Sequence, residues 1–548
     1  MILMNTSRSP NTRITDKIGA VFCVLLASAI LLLQSILWGR PFVFGDTPFY
    51  WAWGGDILEA LQRPWPRPGQ PWSPGRSLHG WGFGTHDATP ADLRFNLTWL
   101  TARSAYYAAP FHLLVRAGGL WLVASLQALT GAWVVKVTVR AVAPASSGLI
   151  YIGVVAALAA TTSLGFETAY MMPDLFGGLA VLAAAVLLVY RDGIGRTARL
   201  GLIGLIIWAV LVHAENGLNV AAAALIGWIW YWRAGVDWRA AIGRAAPIAI
   251  ALAIGLVMAA GGRMILGAAF GRPVHMAPFA AGRVLADGGA QRYLRQTCPH
   301  VRLEACDLAN RQPVYIEYYL WVYPLEGLPP AHIPDRAKYT LAQFDRLQLR
   351  HVTDAEADHR ERFVAEQTRL VLGALQTDGL HQVREALING SVAFINFGVD
   401  RNFDSLPMII RGGRTLLREQ TASILPGGVE CARPEGQACG YYDLAWVAPL
   451  EYAAALVSFV FLGVCSLHSA AAPTRELAHF LVLTLGLVLA NAVLCGAISG
   501  PYSRYQARVE WLIPLGALLL VAQWAERAAL ARSCEGATIR AADATTSV

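Results

Sequence analysis

Residues 18–38 form a run of about twenty apolar positions, interrupted only by Gln34 and small polar side chains. At a rise of about 1.5 Å per residue, a helix of that length covers the roughly 30 Å hydrocarbon core of a bilayer. The run is one of many. Others lie near residues 111–135, 149–163, 175–190, 200–212, 218–232 and 246–266, and three more follow at 447–466, 477–498 and 509–525. Charged residues make up only 15% of the chain, against 55% hydrophobic, where a soluble domain carries about 25% charged. The expected fold is therefore an all-α polytopic membrane protein with about ten transmembrane helices. Two of the runs, 149–163 and 200–212, need flanking residues to complete a span.

The first run follows a basic leader of Arg8, Arg13 and Lys17. It exceeds the apolar core of a cleaved signal and lacks a small-x-small site before Gly39, so it reads as a signal anchor. Placing the N-terminus in the cytoplasm and alternating puts Lys136 and Arg140, then Arg191, Arg196 and Arg199, then Arg233, Arg239 and Arg244, then Arg475, in the inner links. The tail adds Arg527, Arg532 and Arg540. That bias matches the positive-inside rule with both termini inside. The net charge of +7 is thus accounted for by topology. No Lys/Arg block with interleaved aromatics is present, which excludes a nucleic-acid partner.

Four regions follow. Residues 1–267 form an N-terminal transmembrane region with a long first outer loop at 39–104, rich in Trp, Pro and Gly. Residues 268–446 form a mostly helical extracytoplasmic domain, with 341–378 reading as a charged-faced helix. Residues 447–526 hold the C-terminal transmembrane helices, and 527–548 a cytoplasmic tail. The external domain contains Cys298 and Cys306, then Cys431 and Cys439, two pairs of equal internal spacing. In an oxidising compartment these read as Cys298–Cys306 and Cys431–Cys439 disulfides, with other pairings and free thiols as alternatives. The spacing is not the short form of a zinc site.

Ionisable side chains at membrane depth are functional candidates, and four clusters fall on the outer side. Asp46 follows the first span, ahead of Tyr50 and Trp53; it can serve as a base or cap the helix that begins near Pro48. Glu167 and Asp174 flank the next outer link, where Asp174 can equally cap the following span. His213 and Glu215 form a tight outer turn, which is either a plain polar turn or one wall of a shared groove. Tyr502, Ser503, Arg504, Tyr505 and Arg508 precede the last span, with Arg504 and Arg508 on one helical face. Two guanidiniums there suit a lipid-linked phosphate, or ordinary headgroups. Arg103, at the outer mouth of the second span, can join them. No Walker A loop, Rossmann fingerprint, Gly-x-Ser-x-Gly elbow or His-Glu-x-x-His is present, so ATP-driven transport lacks its usual motif.

This arrangement resembles the GT-C superfamily of membrane glycosyltransferases. The resemblance rests on an acidic residue just after helix 1 (Asp46), acidic positions in the next outer loop (Glu167, Asp174) and an Arg-Tyr pair before a late span (Arg504-Tyr505). It implies a GT-C-like bundle that takes a sugar from a polyprenyl-phosphate donor on the outer face, with inversion. Asp46 would be the general base, aided by Asp174 and Glu167. Arg504, Arg508, Tyr505 and Arg103 would hold the donor phosphate, and Tyr50, Trp53, His213 and Glu215 would line the substrate groove. The acceptor would be a lipid, glycan or protein of the cell envelope, and the location a bacterial inner membrane. The common family pattern has two adjacent acidic residues in the first loop, whereas Thr47 follows Asp46 here. No metal ligand is assigned, and a divalent cation stays open as a cofactor. A polysaccharide polymerase or ligase, and a transporter or flippase of lipid-linked sugars, are the alternative readings.

Overall fold

The computed structural model describes residues 10–62, 89–100, 102–271, 273–313, 315–323, 352–399, 422–425, 444–468 and 471–546. Among them the chain is helical, and its one β feature is an isolated parallel bridge between Phe42 and Tyr170. The N-terminal half contains α1 (Pro10–Leu31), α2 (Leu33–Leu37), α3 (Thr47–Gln62), α4 (Pro90–Leu100), α5 (Ala105–Val142), α6 (Gly148–Thr161), α7 (Leu164–Ala169), α8 (Leu175–Val189), α9 (Arg196–Val212), α10 (Ala214–Arg233) and α11 (Trp238–Phe270). There follow α12 (Phe279–Ala286), α13 (Gly289–Thr297), α14 (Asp354–Ala365) and α15 (Gln367–Ile395). The C-terminal helices are α16 (Val447–Leu467), α17 (Arg475–Ile498), α18 (Ser503–Glu510) and α19 (Leu512–Thr546).

Among the described residues, five helical segments are long and apolar enough to cross a membrane: Ala105–Val142, Trp238–Phe270, Val447–Leu467, Arg475–Ile498 and Ser503–Arg532. Ile18–Leu31, Gly148–Thr161 and Leu175–Val189 are shorter apolar helices. The first run therefore divides: α1 stops at Leu31 and α2 makes a separate turn before Gly39, which has a left-handed φ of 78°. Side-chain caps fix several starts. Ser104 accepts from the Tyr106 N–H at the head of α5, Asp237 from Arg239 and Ala240 at α11, and Thr474 from Leu477 at α17. Each satisfies an N–H left open by the missing preceding turn.

Helix α8 is buried along its length, from Leu175 to Leu188. A helix that is apolar on all sides belongs at the centre, and α5, α9, α10, α17 and α18 surround it. A second hydrophobic cluster is built from α12 to α15 and holds Leu285, Leu294, Leu308, Tyr319, Phe363 and Leu370. Cys298 and Cys306 are disulfide-bonded beside it. Cys431 and Cys439 lie outside the described residues, as do residues 341–351 of the expected 341–378 helix. The rest of that helix is two helices: α14 ends at Ala365, and α15 starts at Gln367 and continues to Ile395 past a break at Asp378.

Candidate functional site

Main-chain pairing joins the first two acidic clusters. Phe42 N–H donates to the Ala169 carbonyl at 2.9 Å, and Met171 N–H returns to the Phe42 carbonyl at 3.0 Å. The Thr47 hydroxyl donates to the Met171 carbonyl at 3.1 Å and accepts from the Phe44 N–H at 3.0 Å. Gln127, midway along α5, donates to the Thr168 and Tyr170 carbonyls from the other side. Aromatic sequence supports the same contact, since the Trp38, Phe42 and Phe166 rings pack on one another. The loop holding Asp46 is thereby fixed against the segment holding Glu167 and Asp174.

Asp46 is ion-paired with Arg103, whose guanidinium lies 4.7 Å from the centre of the Phe49 ring. Burial alone would raise the Asp46 carboxyl; the charge of Arg103, and then that of Arg504, outweighs it and holds the group below its usual value. Asp46 is thus ionised at neutral pH while a quarter of its side chain (25%) stays exposed.

Asp174 stands at the head of α8 but makes no capping hydrogen bond there, which removes the cap as its role in this structure. Both its carboxylate oxygens are buried without a hydrogen-bond partner, as are both oxygens of Glu167. Burial, followed by the neighbouring Asp174 charge, pushes the Glu167 carboxyl well above its usual value and favours its protonated form.

The arginines arrive on α18, which lies tightly on the start of α8. A Cβ at Gly178 would sit 1.9 Å from the Arg508 carbonyl oxygen, so only glycine admits this approach. Arg508 is fully buried and donates from Nη2 to Glu215 Oε1 at 3.1 Å and to Asn491 Oδ1 at 3.0 Å. Cys495 also donates its thiol hydrogen to Glu215. Asn219 Nδ2 donates to Asn491 Oδ1 at 2.9 Å, extending this network into α10. The Nε and Nη1 of Arg508 have no hydrogen-bond partner. Arg504 donates to the Tyr505 hydroxyl at 3.1 Å and lies 4.3 Å from the centre of the Phe44 ring, two residues before Asp46. Its Nη1 has no hydrogen-bond partner, and its charge acts on Asp174, Tyr170 and Asp46.

The expected site residues are thus drawn together from five stretches of the chain: Asp46, Arg103, Glu167 with Asp174, His213 with Glu215, and Arg504 to Arg508. Their individual placements differ from a simple groove. Trp53, 1% exposed, stacks on Phe270 as a core residue, and Tyr50 is buried against Tyr107. Glu215 is the counter-ion of Arg508. His213 lies 4.0 Å from Glu215, and burial lowers its imidazole below the usual range, so the ring is neutral at pH 7. Asn491 and Cys495 were hidden in an apolar run; a polar amide at the centre of a span was the available signal. Among the described residues, no group of three or more His, Cys, Asp and Glu side chains is placed to hold a metal ion.

No family model, curated protein or solved structure matches this chain.

Proposed function

We propose that this protein is an inverting membrane glycosyltransferase of the GT-C kind. It would transfer a sugar from a polyprenyl-phosphate donor to a lipid, glycan or protein acceptor of the cell envelope. In this reading it sits in a bacterial inner membrane with about ten passes, the five long helices, the three shorter apolar ones, and α9 and α10, and with both termini inside. Residues 268–446 lie outside and present the acceptor. The observation that supports it is that the Arg504 guanidinium lies against the Phe44 ring, two residues before Asp46, although the two stretches are at opposite ends of the chain.

The chemistry follows from the residues. A sugar on a lipid phosphate has an activated anomeric carbon, so the protein must deprotonate an acceptor hydroxyl, hold the departing phosphate and align the two. Asp46 is ionised and partly exposed, and acts as the base. Arg504 offers its unpartnered Nη1 to the phosphate, and Arg508 stiffens the helix beneath it with its own charge directed into the same cluster. Asp174 balances the guanidiniums while the phosphate is absent. Glu167, in its protonated form, adds no further negative charge to repel the donor.

The test is transfer from a panel of labelled polyprenyl-phosphate sugars by purified protein with cell-envelope acceptors. Asp46→Asn and Arg504→Ala are expected to reduce turnover at least tenfold in proteins that purify as the wild type does. Turnover of Asp46→Asn at the wild-type rate would remove Asp46 from the chemistry.

A further inference from the structure

Helix α15 changes partners at Asp378, whose backbone leaves helical space (φ −150°, ψ 50°) and whose carboxylate pairs with Arg292. Before the break, Leu370 and Ala374 are buried in the cluster formed with Leu294 and Phe363. After it, the helix lies on α17. A Cβ at Gly390 would meet the Val493 Cα at 2.9 Å, and one at Gly496 would meet the Gly390 nitrogen at 2.4 Å, so the two backbones touch. Small residues at such a crossing are the usual means by which helices approach closely in a membrane. The end of α15 is fastened to the same bundle. Asn396 donates to the Pro501 carbonyl at 3.0 Å, Val399 N–H donates to Glu451 at 2.7 Å, and the Phe397 ring is 4.3 Å from that of Tyr452 on α16.

The opposite face of this half-helix is apolar and uncovered. Leu380, Val383, Leu387, Ile388, Val392 and Ile395 recur at helical spacing, with exposures from 43% to 88%. A stripe of large apolar side chains marks a contact surface. The two helices to which this half-helix is fastened carry exposed apolar residues of their own, Val482 and Leu489 on α17 and Leu456, Val457 and Val460 on α16. Both of those helices are long and apolar enough to cross a membrane, so lipid covers their outer faces. Arg384, exposed on this face and paired with Glu385 at 3.0 Å, has a stem long enough to carry its head to the phosphate level.

We propose that residues 379–399 form a lipid-facing segment, so that the chain between α11 and α16 returns to the bilayer and lies against α17. The occupant of the stripe is phospholipid. This assignment is independent of the sugar-transfer reading and moves residues 379–399 out of the water-exposed part of the expected 268–446 domain. An apolar helix of this kind, with the paired charges of Arg384 and Glu385 near its start, suits the zone between headgroups and acyl chains.

Nitroxide labels at Leu380→Cys, Leu387→Cys and Ile395→Cys test it in the full chain, reconstituted in phospholipid nanodiscs. Thr368→Cys, exposed on the first half of α15, is the reference, and labelled wild type corrects for the native thiols. The three stripe positions are expected to favour collision with oxygen over a water-soluble nickel complex several-fold more than Thr368→Cys does. Equal nickel access at all four positions would overturn the proposal. So would spin–spin broadening at the stripe that disappears on dilution with unlabelled protein, because a second copy of the chain would then cover the face.

Discussion

Arg508 Nη2 donates to Glu215 Oε1 at 3.1 Å, with the arginine side chain fully buried and the glutamate 8% exposed. The pair ties α18 to α10 across the head of α8, and Asn491 and Cys495 of α17 complete its shell. Removing one partner strands the other charge. Glu215→Gln is therefore expected to cost about 3–5 kcal/mol, read as a fall in the thermal unfolding midpoint of the purified protein. The double change Glu215→Leu with Arg508→Met removes both charges and is expected to recover much of that loss. A midpoint for Glu215→Gln equal to wild type would show that the pair does not hold the helices together.

Arg103 sets the acid limit of the site. Because Arg103 and Arg504 hold the Asp46 carboxyl below its usual value, the base is already ionised across the neutral range. Turnover should then be flat from pH 7 down to the ordinary carboxylate range and fall only below it. Arg103→Gln removes the nearest cation, leaves the burial that raises the group, and is expected to shift the acid limb of the pH–rate profile upward. The same lowered group contributes folding stability that is present above its unfolded value and is lost as pH falls through its folded one. The wild type should therefore lose more stability on acidification than Arg103→Gln. An unshifted limb in the variant would separate the pair from catalysis.

The helical class and the positions of most helices were legible in the apolar runs, because blocks of that length exceed a strand and suit helices that satisfy their own backbone groups. The acidic and basic clusters at their edges were legible for a related reason: each ionisable residue there opposes the surrounding hydropathy. Partner choice was not. Arg508 stands four residues from Arg504, and nothing in the spacing says that one is buried on Glu215 while the other stacks on Phe44. Trp53 was read as part of a groove because the resemblance makes the aromatic first outer loop line the substrate, yet the sheer area of an indole makes it equally good core, and here it packs on Phe270. The contact of α15 with α17 was hidden because residues 380–385 carry His381, Arg384 and Glu385, which end the apolar signal before it reaches a spanning length.

The disulfide beside the second cluster gives a prediction confined to that region. Cys298 and Cys306 are separated by 8 residues, and closing so short a loop removes little freedom from the unfolded chain. The chain-entropy relation gives about 2–3 kcal/mol. Cys298→Ser with Cys306→Ser is expected to raise the rate of proteolysis within residues 279–378 under native conditions while leaving the membrane helices protected. Equal cleavage in both proteins would mean that the apolar cluster alone holds the segment.

Gly178 tests the contact on which the arginines depend. It lies in α8 where α18 crosses, and a Cβ there would meet the Arg508 carbonyl oxygen at 1.9 Å and the Trp511 indole nitrogen at 2.9 Å. The first of these is backbone and cannot rotate away. Alanine would force α18 outward, carry Arg504 and Arg508 with it, and cost about 1–3 kcal/mol through overpacking. That exceeds the gain of roughly 1 kcal/mol that alanine brings over glycine within a helix. Gly153, in α6, has nothing within 4 Å of the corresponding position, so Gly153→Ala receives the helical gain without the clash. Gly178→Ala is therefore expected to lower the unfolding midpoint and weaken turnover together, while Gly153→Ala holds or raises the midpoint with turnover unchanged. If Gly178→Ala unfolds at the wild-type temperature, the close approach of α18 to α8 is not what positions the two guanidiniums.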